Sequence, residues 1–421
     1  MRVVHLSTYE SAGGAARAAH GLHQGLVAAG VDSHMLVMER QSGDPRVHLA
    51  PRDLVDARLE SLCAQHWCAS NRTDRSNTAF SLGFTSCDVA GHEEVQAADV
   101  INLHWVPRLL DARALAALRA LGKPVVWTLH DEWAYTGGCH YAAGCGRWRD
   151  GCRDCPQLAN DPHGLVELRF AQKASACADG AMTVVAPSRW LAANARESSV
   201  FRGSRVEVVP YGVDLTAFSP ERRAAGRRRL GASQDDFVLL FSAEAAFERR
   251  KGFAELAAAL ATLRARADEL GVAAACLKLA VLGHGYGVAL PEGAVPLGHV
   301  SSREELAEIA AASDLYVMPS LEDNLPNGVL EALASGTPCV GFDIGGVPDM
   351  LADAPGCALA PAGDSVALAA RIASAARGGI PSAALRCSIR VFAETRYAPA
   401  RQAEAYLAIY RSLVSGKVRA A

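Results

Sequence analysis

The 421-residue sequence has no apolar run near the roughly 20 residues that a bilayer-crossing helix needs, which excludes such a helix. It has no basic excess either. Its formal charge of −3 excludes a dedicated nucleic-acid binder. The opening stretch "MRVVHLSTYESAGG" breaks into polar residues and glycines too soon for a secretory signal, so a cytoplasmic location is expected. In that compartment the twelve cysteines are expected as thiols or metal ligands, not as disulfides. Fixed-period repeats and low-complexity tracts are absent. A dinucleotide fingerprint is missing too. "LGHGYG" (Leu282 to Gly287) follows an apolar run, but its glycines are spaced G-x-G-x-G and no phosphate-binding helix follows, so an oxidoreductase is discounted.

What is present is a globular enzyme's balance, 50% hydrophobic and 21% charged residues, over a length that implies two domains. Short apolar runs recur with helical stretches between them. The first series is "MRVVHLST", "DVINLHW", "PVVWTLH", "MTVVAPS" and "VEVVPYG"; the second is "DFVLLFSA", "LKLAVLG", "DLYVMPS" and "TPCVGFD". Runs that are apolar on both faces suit buried parallel strands, and strands alternating with helices imply doubly wound sheets. The chain is therefore read as α/β, with Rossmann-like domains over 1–210 and 211–390. Residues 391–421 form an amphipathic helix that packs back on the first domain. The arginine run "ERRAAGRRRL" (Glu221 to Leu230) reads either as a solvated helix face or as a patch for a membrane surface or an anion.

In open parallel sheets, ligands bind beyond the carboxyl ends of the strands. His104, His130 and the Gly13-Gly14 turn fall at such ends, as does Asp323. Gly13 and Gly14 precede a helix whose first amides could meet a phosphate or a hydroxyl. "FERRKGF" sets Arg249, Arg250 and Lys251 at a helix origin, where two or three cations could clamp a diphosphate or form a solvated turn. "SLEDNLPNGVLEALASG" places Asp323 and Asn324 before a helix and Glu331 inside it, with Pro326 in its first turn and Gly336 as its stop. Amides near Asn324 and Leu325 would face an anion, while the two acids would accept hydrogen bonds from hydroxyls. Cations and amides for phosphates, with acids for hydroxyls, describe a nucleotide-sugar site.

These segments carry a resemblance. In order, "GGAARAAHGLHQGL", "WTLHDEWAYTGGCHY", "APSRW", "VVPYGVDLTAFSP", "RKGF" and "SDLYVMPSLEDNLPNGVLEALASGTPCVGFDIGGVPDM" resemble a retaining glycosyltransferase of the GT-B fold, family four, of the bacterial cell-surface polysaccharide type. The resemblance implies two Rossmann-like domains facing a central cleft. It implies an enzyme that moves a hexose from a UDP- or GDP-sugar to a saccharide or lipid-linked saccharide, without a catalytic metal. Asp323 would hold the donor sugar's hydroxyls, with Glu322 beside it as a substitute, and Glu331 the ribose. Lys251 with Arg250 (or Arg249) would bind the diphosphate. The family's arginine falls here around Ala246. His130 would lie near the reacting sugar, with Gly14 under the diphosphate. Family members often sit at the inner membrane face, so peripheral membrane contact is a further expectation. A GT-B nucleotide-sugar epimerase and a catalytically idle sugar-nucleotide-binding assembly partner are the alternatives.

One motif stands apart. "CHYAAGCGRWRDGCRDC" spaces Cys139, Cys145, Cys152 and Cys155 as C-x5-C-x6-C-x2-C, consistent with a structural zinc site, with separate thiols or with disulfides. A similar insert occurs in a subset of polysaccharide glycosyltransferases that the chain resembles.

Overall fold

The computed structural model describes residues 1–418 apart from 52, 53, 77, 78, 84, 86, 246, 247, 274, 275 and 285–288. Ala246 and part of the "LGHGYG" stretch thus lie outside the described residues. The chain divides into one unit of Met1–Gly212 with Pro399–Ala421 and a second of Val213–Ala398.

The first unit holds a seven-stranded sheet in the order β3-β2-β1-β4-β5-β6-β7. Its strands are β1 Arg2–Tyr9, β2 Asp32–Glu39, β3 Val47–Leu49, β4 Val100–Leu103, β5 Val125–Thr128, β6 Thr183–Ala186 and β7 Arg205–Val208. Every pairing is parallel. The central strands β4, β5 and β6 are buried at every residue, as a sheet covered on both faces requires. The final helix, Pro399–Val418, belongs to this unit. Its Tyr406 and Tyr410 are fully buried with Val3, Leu22 and Val100. Tyr410 Oη accepts from Asn102 Nδ2 at 2.7 Å, and Tyr406 Oη lies 3.0 Å from Thr128 Oγ1.

The boundary expected at 390 moves. Residues 391–397 finish the helix Ala383–Tyr397 of the second unit, and the chain breaks at Ala398, which is extended (φ −62, ψ 134). The ring of Pro399 disfavours helical geometry in the residue before it, so one helix must end there and the next begin.

The second unit holds six parallel strands in the order β10-β9-β8-β11-β12-β13. They are β8 Phe237–Ala245, β9 Leu277–His284, β10 Ala294–Gly298, β11 Leu315–Met318, β12 Cys339–Phe342 and β13 Ala358–Ala360. Part of the arginine run turns inward. Arg223 and Arg227 reach the fully buried Asp314 at 2.6 and 2.9 Å, and Arg386 joins them at 2.9 Å. Arg229 pairs with Glu305 and Glu308. The helix Arg223–Arg229 is thus divided: Arg223 and Arg227 join an internal ion group, while Arg228 and Arg229 stay exposed as a solvated face would, and Gly226 lets it lie against the helix Arg303–Ala312, where a Cβ would stand 1.9 Å from Glu308 O.

Both strand orders reverse direction once. The reversal falls between β1 and β4 in the first sheet and between β8 and β11 in the second. In open parallel sheets such a reversal, at the carboxyl edge, is where ligands bind.

Candidate active site

In the second unit, the loops beyond β8 and β11 meet at that reversal. After β8 comes a tight turn, Arg249–Lys251, then Gly252 in the left-handed region (φ 67). A Cβ on Gly252 would stand 1.7 Å from Pro319 O, so only glycine lets the turn close on the segment after β11. Leu321 N–H then donates to Arg250 O at 2.8 Å. The side chains follow. Lys251 Nζ donates to Asp323 Oδ2 at 2.8 Å and Arg250 Nη1 to the same oxygen at 3.2 Å, while Arg250 Nη2 reaches Glu248 Oε2 at 3.1 Å. Arg249 takes no part in this group; it is exposed and pairs with Glu255.

Arg250 and Asp323 are buried, and Lys251 is half-buried. Burial would raise the Asp323 pKa, but Lys251 and Arg250 hold it down to about 2. For Lys251, burial and then the neighbouring Arg250 lower the pKa, against the pull of Asp323. The other oxygen of Asp323 accepts the Asn324 backbone N–H at 3.0 Å. This bonding differs from the expected one. Both oxygens of Asp323 are engaged by protein donors, so the acid positions two cations, and the Asn324 amide turns to Asp323 instead of facing outward to an anion.

The glycine pair after β12 explains itself in the same place. Gly346 N–H donates to Asp323 O at 3.2 Å, and a Cβ on Gly345 (φ 51) would stand 1.9 Å from that oxygen. Between the two turns lies the helix Asn327–Ala334. Pro326 is its N-cap rather than its first residue, and no side chain caps it. Gly336 (φ 69) follows its last turn. Glu331 sits half-buried on it. Burial raises the pKa of the Tyr316 hydroxyl, and Glu331 and Asp323 add to the rise, so both acids lie within electrostatic reach of that ring. Gly328 keeps the ring in place, since a Cβ there would meet Tyr316 Oη at 2.3 Å. Arg250, Lys251, Asp323, Asn324 and Leu325 are thus brought together, with Glu331 on the adjoining helix.

In the first unit, Gly13 (φ 82) opens the helix Gly13–Ala28, whose N-cap Ala12 makes no side-chain cap bond. Gly14 is exposed beside it. His130 is not a lone side chain at a strand end. His5 Nδ1 lies 2.9 Å from His104 Nε2, His104 Nδ1 3.0 Å from His130 Nε2, and His130 Nδ1 2.8 Å from Tyr211 Oη. Each neutral imidazole carries one N–H, so the three rings must share one polarity. Either every Nδ1 donates, or every Nε2 does. Among the described residues, His5 Nε2 has no hydrogen-bond partner. An orphaned lone pair there costs less than an orphaned N–H, which favours donation by each Nδ1 toward Tyr211. His5 and Tyr211 carried no sequence signal; only the pairing of β1 with β4 brings His5 beneath His104.

The row makes stability pH-dependent. Burial lowers the His130 pKa to about 4, against Asp131, and lowers His5 and His104 well below the usual value. In the unfolded chain these groups titrate near 6.5. Above that pH neither state is protonated and stability is unaffected. As pH falls from about 6.5 toward 4, only the unfolded state gains protons, and each histidine costs up to about 1.4 kcal/mol per pH unit. Urea unfolding at pH 7, 6 and 5 is expected to show this decline, with a shallower slope in His104→Gln. An equal slope in that variant would contradict a neutral row.

Cys139, Cys145, Cys152 and Cys155 line one small cavity with Phe80 and Trp148. Burial raises the pKa of Cys139 and Cys155, and that of Cys152 to about 12, so without a metal these are thiols. No three of the sulfurs lie within 4.8 Å of one another among the described residues. A tetrahedral zinc–thiolate site holds them about 3.8 Å apart, so the loop would have to tighten to bind zinc. The loop is strained: Ala143, Cys152 and Asp154 have φ of 51, 55 and 45.

With the geometry in place, the class is defined. Residues 12–217 match the family described as Glycosyltransferase Family 4, and residues 236–377 match Glycosyl transferases group 1. Solved structures of the same architecture include Anabaena HepE in complex with UDP and glucose (TM-score 0.64, 15% identity, 98% of this chain and 100% of that one). Sucrose-phosphate synthase from Thermosynechococcus elongatus is another (TM-score 0.66, 18% identity, 99% and 100%). The fold is GT-B. The chain is similar to glycosyltransferases in both units. Curated relatives include D-inositol 3-phosphate glycosyltransferases of a Nocardioides species (35% identity over 170 residues, 36% of each chain) and of Geodermatophilus obscurus (37% over 161 residues, 35% of each). The chain spans about a third of the length of these relatives.

Proposed function

We propose that the protein is a retaining, metal-independent hexosyltransferase that uses a nucleotide-diphosphate sugar, UDP-linked in the first instance. The observation that carries this reading is the cluster of Lys251, Arg250 and Asp323 at the reversal of the second sheet, beside the uncapped start of the Asn327–Ala334 helix. A departing diphosphate gains negative charge, and fixed cations with helix amides stabilise it with no reorganisation. Asp323 holds the two cations in place, and Glu331 accepts hydrogen bonds from the ribose. A phosphate oxygen of the leaving group takes the proton of the acceptor hydroxyl, which attacks on the face the nucleotide leaves, so the anomeric configuration is retained. UDP in the neighbouring HepE structure supports the choice of base.

The acceptor is a glycan or lipid-linked saccharide in polysaccharide synthesis. A phosphorylated polyol is the second reading, favoured by the curated relatives' names. Among the described residues no helix is long and apolar enough to cross a membrane, and two of the five arginines available for a membrane patch pair inward with Asp314. The test is a thermal-shift screen against UDP- and GDP-sugars, followed by transfer assays with both acceptor classes and NMR of the product's anomeric proton. An inverted product overturns retention. Donor consumption with no acceptor present supports the epimerase, and binding without turnover on any acceptor supports an idle partner.

The four-cysteine loop is proposed to hold a structural zinc that draws the sulfurs together and offsets the strain at residues 143–154. Replacing Cys152 and Cys155 by serine is expected to remove about one zinc per chain. Metal analysis that finds no difference ends the idea.

A further inference from the structure

The first sheet carries a second group of metal-ligating side chains, on the face opposite His5. His34 of β2 stands one residue from Met35, the register partner of His5, so it points to the other face. His48, on the short edge strand β3, pairs in register with Leu36 and so shares that face. Glu94 comes from the first turn of the helix Glu93–Ala97 that precedes β4. His34 Nδ1 lies 3.1 Å from His48 Nε2 and 3.6 Å from Glu94 Oε2, and His48 Nε2 lies 3.5 Å from Glu94 Oε1. Zinc bonds of about 2.0–2.1 Å in a tetrahedron hold neighbouring ligand atoms about 3.3 Å apart, so these three groups stand at three corners of one.

Two further features fit a metal site. His34 Nε2 lies 2.9 Å from Asp32 Oδ1, with Arg2 Nη2 3.1 Å from the same nitrogen. A histidine that donates its outer N–H to a carboxylate keeps the lone pair of its other nitrogen for a metal. Glu94 Oε2 is buried and receives no hydrogen bond, although Arg2 Nη2 stands 3.1 Å away as its ion partner. That oxygen thus has lone pairs free of any hydrogen bond, beside a guanidinium that supplies charge without one. The side chain of His48 is 24% exposed, so water can reach the fourth corner.

We propose that His34 Nδ1, His48 Nε2 and one Glu94 oxygen bind a borderline divalent ion of the zinc class. Two imidazoles and one carboxylate suit zinc, with cobalt and nickel as weaker substitutes. The ion ties β2, the three-residue strand β3 and the helix before β4 together at the sheet's edge. It takes no part in sugar transfer.

Purified full-length protein is stripped with a chelator and titrated with zinc alone, following stoichiometry and melting temperature. His48→Gln and Glu94→Gln are each expected to lose about one zinc per chain, and wild type is expected to melt higher with zinc than without. Asp32→Asn is expected to keep the site and bind about tenfold more weakly, as loss of an outer hydrogen-bond partner does. Equal zinc content in wild type and in both glutamine variants overturns the site. Should the variants fail to fold, cobalt-loaded wild type decides. An absorption component free of thiolate charge transfer supports the site, and a spectrum made only of sulfur-ligand bands overturns it.

Discussion

Lys251→Ala is expected to lower sugar transfer at least about a hundredfold, which is about 2.7 kcal/mol of lost transition-state stabilisation. Nζ is held at 2.8 Å from Asp323 and emerges at the reversal of the second sheet, where the charge of a leaving diphosphate would develop. The fold should tolerate the change. Asp323 keeps Arg250 at 3.2 Å, so its buried charge is not left alone. The deficit should therefore lie in kcat/KM, with the melting temperature little altered. Glu331→Ala is expected to cost a similar factor, through the lost grip on the ribose. Turnover close to wild type in both purified variants would defeat the site assignment.

Asp314→Asn is expected to cost about 3–5 kcal/mol of stability, measured by urea unfolding, because removing one partner of a buried ion group leaves the rest uncompensated. Here the rest is three guanidinium groups. Arg223, Arg227 and Arg386 all converge on a carboxylate with no exposed surface, which also accepts the Val238 backbone N–H at 2.9 Å. Burial and then Arg223 lower the Arg386 pKa to about 10, with Asp314 opposing. Arg227→Met should cost less, since two arginines still neutralise Asp314. A loss below about 1 kcal/mol in Asp314→Asn would show that water already solvates these cations.

The strand pattern was legible because it is local. "INL", "VVWT" and "LYVM" are apolar on both faces, and each forms a buried strand where the run predicted it. β3 and β13 were not legible, since three residues at a sheet's edge leave no period to detect. The site was partly legible. Gly336 marked the helix stop correctly, because a left-handed φ is a property of one residue. The arginine run was only half legible for the opposite reason. Composition shows five arginines in one run, yet whether each faces water depends on what packs against it.

From the residues themselves came two parallel α/β units, the places where their strands end, and the turns that put cations and acids beyond those ends; these rest on backbone preferences and on periodicity, which neighbours along the chain impose. Only the tertiary structure decided that Asp323 binds its own cations, that His130 is one link in a row of three imidazoles, and that His34, His48 and Glu94 meet. Those facts depend on which distant segments lie side by side. Coulomb and hydrogen-bond energies act over a few ångströms of space and are indifferent to separation along the chain.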